Sequence, residues 1–241
     1  MSAGSRVKIR AMRILALETS TESGSCAFWQ EGGVLVADCP PGRSHSETLI
    51  PLVQQLLAEA GCGFAALDAI AFGMGPGAFT GLRVACGVAQ GMAAALDLPM
   101  LPVGSLEAMA WATGGERVLS LLDARMGEVY CGAFERDDAR PVALTELAAQ
   151  TPEAIVLPQG EGWLAAGNAL RAYPQLAARF EGLPGWRCLP AILPHAKEVA
   201  ELGALAFLRG EALDPALAAP RYVRDKVART TAERLADRGH S

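Results

Sequence analysis

The sequence has 241 residues, 51% of them hydrophobic, which suits one large domain or two smaller ones with substantial cores. The formal net charge is −5, with 21 basic against 26 acidic residues. That balance argues against broad, nonspecific nucleic-acid binding, because such binding needs a basic face. The three histidines, His45, His195 and His240, are too far apart in sequence to form a metal-spaced pair.

The cysteines and the N-terminal residues indicate the cellular compartment. Six cysteines are scattered without a CxxC pair, as expected for free thiols in a reducing cytosol. The leader, residues 1–12, is basic but lacks the apolar segment of a secretory signal. We therefore expect a cytoplasmic protein whose leader is a disordered tail or an over-extended start.

The first half begins with a predicted antiparallel meander. Residues 13–18 are predicted as a buried strand, 26–30 as a second strand and 33–39 as a third, with Gly32-Gly33 as the hairpin turn between the last two. The turn at residues 19–25 is rich in hydroxyls, which can present donors to a phosphate. An ordinary hairpin turn explains the same composition.

A helix is predicted at residues 46–60. Its apolar residues follow an i, i+3, i+4 stripe, made up of Leu49, Leu52, Val53, Leu56, Leu57 and Ala60. Ile50 lies off that stripe and is a candidate second contact face. His45, just before the helix, is better explained as a solvated residue of the capping region than as a ligand, because it has no companion.

Residues 69–103 are the most informative stretch, predicted as strand, glycine loop, long helix and strand. From Leu82 to Leu96 only Arg83 and Gln90 are polar, and they share one face two turns apart. Such a helix has no solvated face and must be covered on most sides. One side is expected to pack on the chain's own sheet. The other packs either on this chain's other helices or on another chain, and the residues alone leave both readings open.

We do not expect this helix to span a membrane. It is slightly short for a span, it carries Arg83 and it opens from a proline-glycine turn.

The second half repeats the order of the first. A helix starts within residues 103–112, followed by predicted strands at 117–124 and 128–134 and a candidate third strand at 141–147. Residues 162–170 are interpreted as a strand, Gly167-Asn168 and the start of a helix that reaches about Phe180. An amphipathic helix is predicted at 194–210. Two βββαβα halves therefore follow one another.

These boundaries define the predicted domains. Residues 13–103 form an N-terminal domain that carries the association helices, and 104–219 form a C-terminal domain. Residues 220–241 are predicted to be a mobile basic tail that is able to meet an acidic surface.

Paired βββαβα halves with turns facing a cleft resemble the α/β plan of the actin, hexokinase and Hsp70-ATPase superfamily, with two mixed sheets. In that plan, two hairpin turns hold ATP phosphates and a glycine-rich loop holds the adenosine. The candidate nucleotide contacts that this resemblance implies are Thr19, Ser20, Thr21, Gly75, Gly77, Asp123, Gly167 and Asn168.

A narrower resemblance rests on five segments of this sequence. They are ILALETSTESGSCA, HSETLIPLVQQLLAEAG, the long stretch that includes GPGAFTGLR, DARMGEVY and PRYVR. Together they resemble the TsaB (YeaZ) family over roughly residues 14–224. That family belongs to the bacterial machinery that makes threonylcarbamoyladenosine in tRNA, so the resemblance implies a non-catalytic relative of the catalytic subunit TsaD.

The resemblance also implies partners and an interface. A TsaD-like subunit and a small TsaE-like ATPase are the expected partners, with a homodimer when TsaD is absent and tRNA met only indirectly. ATP and a divalent metal serve the complex, and no cofactor is assigned to this chain. The heterodimer with the TsaD-like subunit and the homodimer would both use the helices at 46–60 and 80–96. The interface residues predicted from them are Leu49, Ile50, Val53, Leu57, Arg83, Val84, Gly87, Gln90 and Gly91.

The resemblance implies that the metal site of TsaD is lost. TsaD carries an HxxxH motif after this crossover, and the matching positions here are Ser105 and Met109. A thioether and a neutral hydroxyl are poor ligands for a hard divalent ion, which makes a metallohydrolase improbable. The first strand ends in Glu18 where the superfamily more commonly has Asp. The alternative function is a stand-alone ATP-dependent kinase that uses Glu18 and Asp123.

Overall fold

The computed structural model describes residues 11–137 and 140–224. The predicted leader thus lies almost wholly outside the described residues, as do residues 225–241 of the predicted tail. The described chain folds into two mixed β-sheets with helices on their faces. This confirms the α/β class predicted from the sequence.

The first sheet has the strand order β3-β2-β1-β4-β5. Its strands are β1 (Arg13–Glu18), β2 (Ser25–Gln30), β3 (Gly33–Asp38), β4 (Ala69–Gly75) and β5 (Met100–Gly104). The first three strands pair antiparallel, whereas β4 pairs parallel with both β1 and β5. The meander and the parallel crossover are therefore as predicted. The β2–β3 turn lies one residue earlier than expected, because Glu31 and Gly32 take the positive φ values, 51° and 83°.

Alternation along β1 divides the first half into two cores. Leu15 and Leu17 face helices α1 (His45–Glu59) and α2 (Phe79–Leu96) in one buried cluster. Ile14 and Ala16 face the opposite way, toward a second cluster. The first sheet is thus covered on both faces.

The second sheet has the order β11-β10-β6-β7-β8, with β9 also paired to β7. Its strands are β6 (Arg117–Arg125), β7 (Glu128–Asp137), β8 (Arg140–Ala143), β9 (Ala148–Gln150), β10 (Trp163–Ala166) and β11 (Arg187–Leu189). Read from β8 to β11, with β6 matched to β1, this is the order of the first sheet. The predicted internal repeat is therefore present, although β11 was not predicted.

The described part of the second half has four α-helices. They are α3 (Ser105–Ala112), α4 (Ala169–Ala172), α5 (Pro174–Ala178) and α6 (Ala196–Leu208). The single helix expected to reach Phe180 is split at Pro174, because proline has no backbone N–H to continue the helical hydrogen bonds.

The last helix crosses the predicted domain boundary. α6 was placed in the C-terminal domain at 104–219, but it packs on the first sheet. Its Val199 and Ala200 join Ile14 and Ala16 in the same buried cluster. The N-terminal half is therefore completed by residues from the far end of the chain.

Helix α2 meets the length and composition of a membrane span, and it is the one such helix among the described residues. A core helix of a soluble protein has the same character. Here Ala85, Ala89 and Ala93 pack into the cluster beneath the first sheet. One face of α2 is thus committed to the chain's own core.

Two helical glycines predict opposite stability changes when each is replaced by alanine. A Cβ on Gly203 of α6 would lie 2.8 Å from the Ala71 Cβ in the first sheet, whereas a Cβ on Gly87 of α2 meets nothing within 4 Å. Gly203→Ala should lower the free energy of unfolding by about 1–3 kcal/mol through overpacking. Gly87→Ala should raise it by about 0.5–1 kcal/mol through helix propensity.

Urea unfolding of both variants at several protein concentrations measures these changes and separates any contribution from self-association. Equal effects of the two substitutions would contradict the close packing of α6 on the first sheet.

Candidate functional site

Two surfaces of the molecule are candidates for function. The first is an open groove beside α1 and α2, with a volume of about 550 Å³. We call it the α1–α2 groove, and it is lined by Ile50, Phe64, Gly87, Val88, Gly91, Met92, Ala95 and Leu96. Every lining residue is apolar or glycine, so the groove offers a partner a contact with little polar desolvation.

Three residues predicted for the partner interface lie elsewhere. Leu49, Val53 and Leu57 are 0–2% exposed and belong to the core cluster under the first sheet. The interface prediction is wrong for these three side chains, because the periodic stripe of α1 faces its own sheet. Ile50, off the stripe, is 44% exposed and is the residue of α1 that lines the groove.

The polar residues of α2 make contacts within the chain. The Gln90 amide donates to the carbonyls of Pro215 and Ala218, at 3.0 and 2.9 Å. The Arg83 guanidinium lies 3.8 Å from the centroid of the Phe79 ring. Both were predicted to lie at a partner interface, and the donors of Gln90 are already occupied. Of the other predicted α2 positions, Val84 is half-buried, while Gly87 and Gly91 are exposed.

The second surface is a cleft between the two halves. Its first wall is the turn after β1, where the Thr19 hydroxyl donates to the Gly81 carbonyl at 2.7 Å. A Cβ on Gly77 would lie 2.5 Å from the Ser20 Cβ, and one on Gly81 would lie 1.8 Å from the backbone carbonyl oxygen of Thr19. These glycines therefore allow the loop to press against the chain's own turn.

Gly75 also meets its own chain. It has φ +105°, and a Cβ there would lie 2.9 Å from the carbonyl oxygen of Arg221. The sequence pointed to Gly75 and Gly77 as nucleotide contacts. In the structure, only Gly77 of the pair lines the cleft, together with Ser20 and Thr21. Thr21 is 7% exposed, and its hydroxyl accepts from the Ser23 amide at 3.1 Å.

The opposite wall brings together Asp123 and Asn168, two candidate nucleotide contacts from distant segments of the chain. The Asp123 amide donates to Asn168 Oδ1 at 2.9 Å. The Asp123 carboxylate accepts from the Tyr173 hydroxyl at 2.9 Å and pairs with Arg125 at 3.2 Å. Gly167 has φ +135°, and a Cβ there would lie 2.0 Å from the Leu121 oxygen. Tyr173 was not predicted, because no sequence pattern links it to the turn.

Glu18 is the last residue of β1, directly before the turn of the first wall, and is fully buried. Its carboxylate accepts from the Ser20 amide and, at 3.0 Å, from the Ser105 hydroxyl. A Cβ on Gly73 would lie 2.0 Å from Glu18 Oε2, so this position of β4 must be glycine for the strand to pass the carboxylate. Burial raises the pKa of Glu18, and the two donors oppose that rise only in part.

The positions matched to the metal motif serve internal packing. Ser105 donates to Glu18, as described above. Met109 is fully buried, and its methyl group would lie 2.7 Å from a Cβ on Gly167. In residues 11–137 and 140–224, no group of three or more His, Cys, Asp or Glu side chains is placed to hold a metal ion.

The start of the predicted tail is ordered in the structure. Residues 220–224 cross the mouth of the cleft, which retains a volume of about 250 Å³. The Arg221 amide donates to the Met74 carbonyl at 2.7 Å, and Arg224 forms an ion pair with Glu128. The prediction of a mobile tail therefore fails for this segment.

Replacing Glu18 with glutamine tests the state of its carboxyl. Because burial raises the folded pKa above about 4.5, the folded protein holds a proton that the unfolded chain releases. The resulting stabilisation is complete below pH 4.5 and is lost as pH rises through the folded pKa. Relative to wild type, Glu18→Gln should gain stability over this range, by about 1.4 kcal/mol for each unit of pKa elevation.

Urea unfolding between pH 4.5 and 8 measures this difference. The control for the substitution itself is Glu59→Gln, at an exposed position on α1. A difference between Glu18→Gln and wild type that does not change with pH would show that the carboxyl titrates alike in both states.

Comparison with known proteins bears directly on this architecture. A family model described as TsaD, tRNA N6-adenosine threonylcarbamoyltransferase, matches residues 17–232. The Escherichia coli K12 protein named tRNA threonylcarbamoyladenosine biosynthesis protein TsaB is 37% identical over 90% of this chain and 96% of its own length. Its Haemophilus influenzae namesake is 33% identical over 90% of this chain and 95% of its own length.

Solved structures agree with the sequence relatives. The structure titled YeaZ from Pseudomonas aeruginosa superposes with a TM-score of 0.80 at 38% identity, covering 88% of this chain and 99% of its own. A second Pseudomonas aeruginosa structure, titled as an uncharacterized protein with similarity to peptidase YEAZ, gives 0.81 at 38% identity, covering 88% of this chain and all of its own. With this fold, these turns and these relatives, the chain belongs to the TsaB (YeaZ) family and has a role in the formation of threonylcarbamoyladenosine in tRNA.

Proposed function

We propose that this chain is a non-catalytic scaffold and activator subunit of the complex that forms N6-threonylcarbamoyladenosine in tRNA. It binds a TsaD-like catalytic subunit through the α1–α2 groove. The observation that carries the proposal is the exposed apolar surface of this groove, where Ile50, Gly87 and Gly91 are all exposed. The match to a TsaD family model supports a partner of similar fold, because related folds can pair equivalent helices.

The groove has the physical character of an unfilled helix-packing surface. Gly87 and Gly91 are four residues apart on α2, and a Cβ at either position would meet nothing within 4 Å. Small residues at that spacing allow another helix to approach closely. An obligate interface of this kind buries about 2,000 Å² or more and is more apolar than ordinary surface. The groove would supply the centre of such an interface rather than its whole area.

The non-catalytic assignment is supported by the internal use of polar groups. Ser105 is bonded to Glu18, and Met109 is packed against the backbone at Gly167. In this proposal, ATP and a divalent metal are used elsewhere in the complex, which includes a TsaE-like ATPase. The chain meets tRNA indirectly, works in the cytoplasm and forms a homodimer when the TsaD-like subunit is absent.

The residues of the cleft fit the kinase alternative poorly. It requires an acid free to order magnesium and a base near the transferred phosphate. Glu18 is fully buried, with its carboxylate bonded to Ser20 and Ser105. Asp123 is restrained by Tyr173 and Arg125. Neither carboxylate is free of protein partners in this arrangement.

A charge placed in the groove should prevent assembly without harming the fold. Ala89→Glu would be unsuitable, because Ala89 is fully buried. Gly91→Glu and Ile50→Glu instead change exposed positions. Each should weaken binding of the TsaD-like subunit at least 100-fold, about 2.7 kcal/mol, because assembly would bury an unpaired carboxylate.

Calorimetric titration with the purified catalytic subunit measures this affinity, and thermal unfolding checks the fold. The matched control is Val156→Glu, which changes an apolar residue that is 82% exposed in the second half. It should bind like wild type. Unchanged affinity in both groove variants would refute the proposed surface.

The isolated chain should neither turn over ATP nor hold a stoichiometric metal. Turnover by the purified chain should equal background, and Asp123→Ala should leave it there. Elemental analysis should find less than about one-tenth of an equivalent of zinc, iron or manganese. Product formation should require the added catalytic subunit. ATP turnover that Asp123→Ala removes would favour the kinase instead, and one equivalent of metal would favour a metallohydrolase.

A further inference from the structure

Arg83 is the one charged residue in the 18 residues of α2. Its side chain is exposed, and the exposed Gly87 and Gly91 follow it at intervals of four residues. Residues at that spacing lie on one face of a helix, so Arg83 continues the row of glycines that borders the α1–α2 groove. A partner that packs along this row would also cover the Arg83 guanidinium.

Two aromatic side chains hold this guanidinium in place. It lies 3.8 Å from the centroid of the half-buried Phe79 ring, and its Nε donates to the Tyr222 hydroxyl at 3.1 Å. The two rings are themselves in contact, with centroids 5.3 Å apart. Because Arg83 is already restrained, a partner that binds it loses less side-chain entropy than it would at a free arginine.

The positive charge of Arg83 is not balanced within the described part of the chain. Other arginines there pair with carboxylates, as Arg117 does with Glu135, whereas the contacts of Arg83 are with Phe79 and Tyr222. A guanidinium has five N–H donors, and among the described residues only the Nε donor of Arg83 is occupied. Its Nη donors therefore remain available to a ligand.

Assembly along this row would take the charge out of water. Burial of an unpaired guanidinium opposes binding, because the lost hydration is not replaced. α2 supplies no counter-charge, since Arg83 is its one charged residue. A carboxylate is the anion that matches the planar Nη donors, which it accepts in pairs. The counter-charge must therefore come from the partner.

We infer that Arg83 binds an Asp or Glu carboxylate of the catalytic subunit beside the α1–α2 groove, and that Phe79 and Tyr222 are positioning residues for this contact. The inference rests on the proposed function, because it concerns the same interface. It adds a requirement for charge to a surface that is otherwise apolar. A protein whose surface fits the groove but offers no carboxylate at this point is rejected, because it would bury the guanidinium unpaired.

Replacing Arg83 with methionine tests the contact by the direction of the change in affinity. Methionine keeps an unbranched apolar side chain but removes the charge. If the partner supplies a carboxylate, Arg83→Met leaves that carboxylate buried and unpaired, and affinity for the purified catalytic subunit should fall by about tenfold or more. Arg83→Lys keeps the charge and should bind within about fivefold of wild type. Unchanged or tighter binding of Arg83→Met in calorimetric titration would overturn the inference.

The matched control is Arg171→Met, at an exposed arginine of α4 in the second half. It should bind within about twofold of wild type, as expected for a surface position outside the interface. Gly91→Glu and Ile50→Glu separate the two claims. If they lose binding while Arg83→Met keeps it, the carboxylate contact alone is refuted. If the wild type does not bind, or if both groove variants bind like wild type, the proposed interface is refuted together with this inference.

A second test changes the partner instead of this chain. Each surface Asp or Glu of the catalytic subunit is replaced in turn by Asn or Gln. One replacement should weaken binding to the wild-type chain by about tenfold but change binding to Arg83→Met by less than about twofold, the signature of a coupled pair in a double-mutant cycle. Arg83→Gln takes the place of Arg83→Met in this cycle if thermal unfolding shows that the methionine variant does not fold. The absence of any coupled position would overturn the inference.

Discussion

The contact between the glycine-rich residues 73–81 and the turn after β1 is the constraint on which the rest of the structure depends. Gly73, Gly77 and Gly81 recur every four residues, and each allows close approach to Glu18, Ser20 or Thr19. A Cβ at Gly73, Gly77 or Gly81 would lie 2.0, 2.5 or 1.8 Å, respectively, from the nearest atom. Real Cβ atoms do not adopt such short distances. This contact fixes where α2 starts relative to the first sheet.

Once its start is fixed, α2 cannot bury every side. Ala85, Ala89 and Ala93 face the sheet, so the opposite edge, with Gly87 and Gly91, is turned outward. Gln90 holds a third side against the chain's own residues near Pro215 and Ala218. The first reading of this helix, that its own molecule covers it, therefore holds for part of its surface, and packing on another chain stays a prediction. Much of it is covered by its own molecule, and the remainder is an apolar groove that a second chain would suit.

Much of the fold followed from residue patterns. Alternation of apolar residues predicted β1 and its neighbours, and the order of elements predicted the repeated halves. Short or context-dependent elements did not follow. Among the described strands, the three-residue β11 pairs with β10 alone, and it is too short for a period to show. The packing of α6 on the first sheet joins residues nearly 200 positions apart, which no local pattern encodes.

The candidate site was predictable in location more than in detail. Asp123 and Asn168, two candidate contacts from distant segments, line the same cleft and are bonded directly. The periodic stripe of Leu49, Val53 and Leu57 correctly marked a buried face, but periodicity cannot say whether a face meets its own sheet or a partner. Likewise, a glycine run signals close approach without identifying what approaches. Here much of what approaches is the chain itself.

The retained cleft is best understood through its hydrogen bonds. The carboxylate of Glu18 is bonded to Ser20 and Ser105, and the carboxylate of Asp123 to Tyr173 and Arg125. Buried polar groups that satisfy one another rigidify a structure, whereas a catalytic centre keeps such groups available to its substrate. Through these bonds the two turns act as internal braces, which hold the sheets and α2 in position. In the function proposed above, a chain built this way would keep its fold and its outer helix face without a reaction of its own, which is how a related catalytic fold could give rise to a partner subunit.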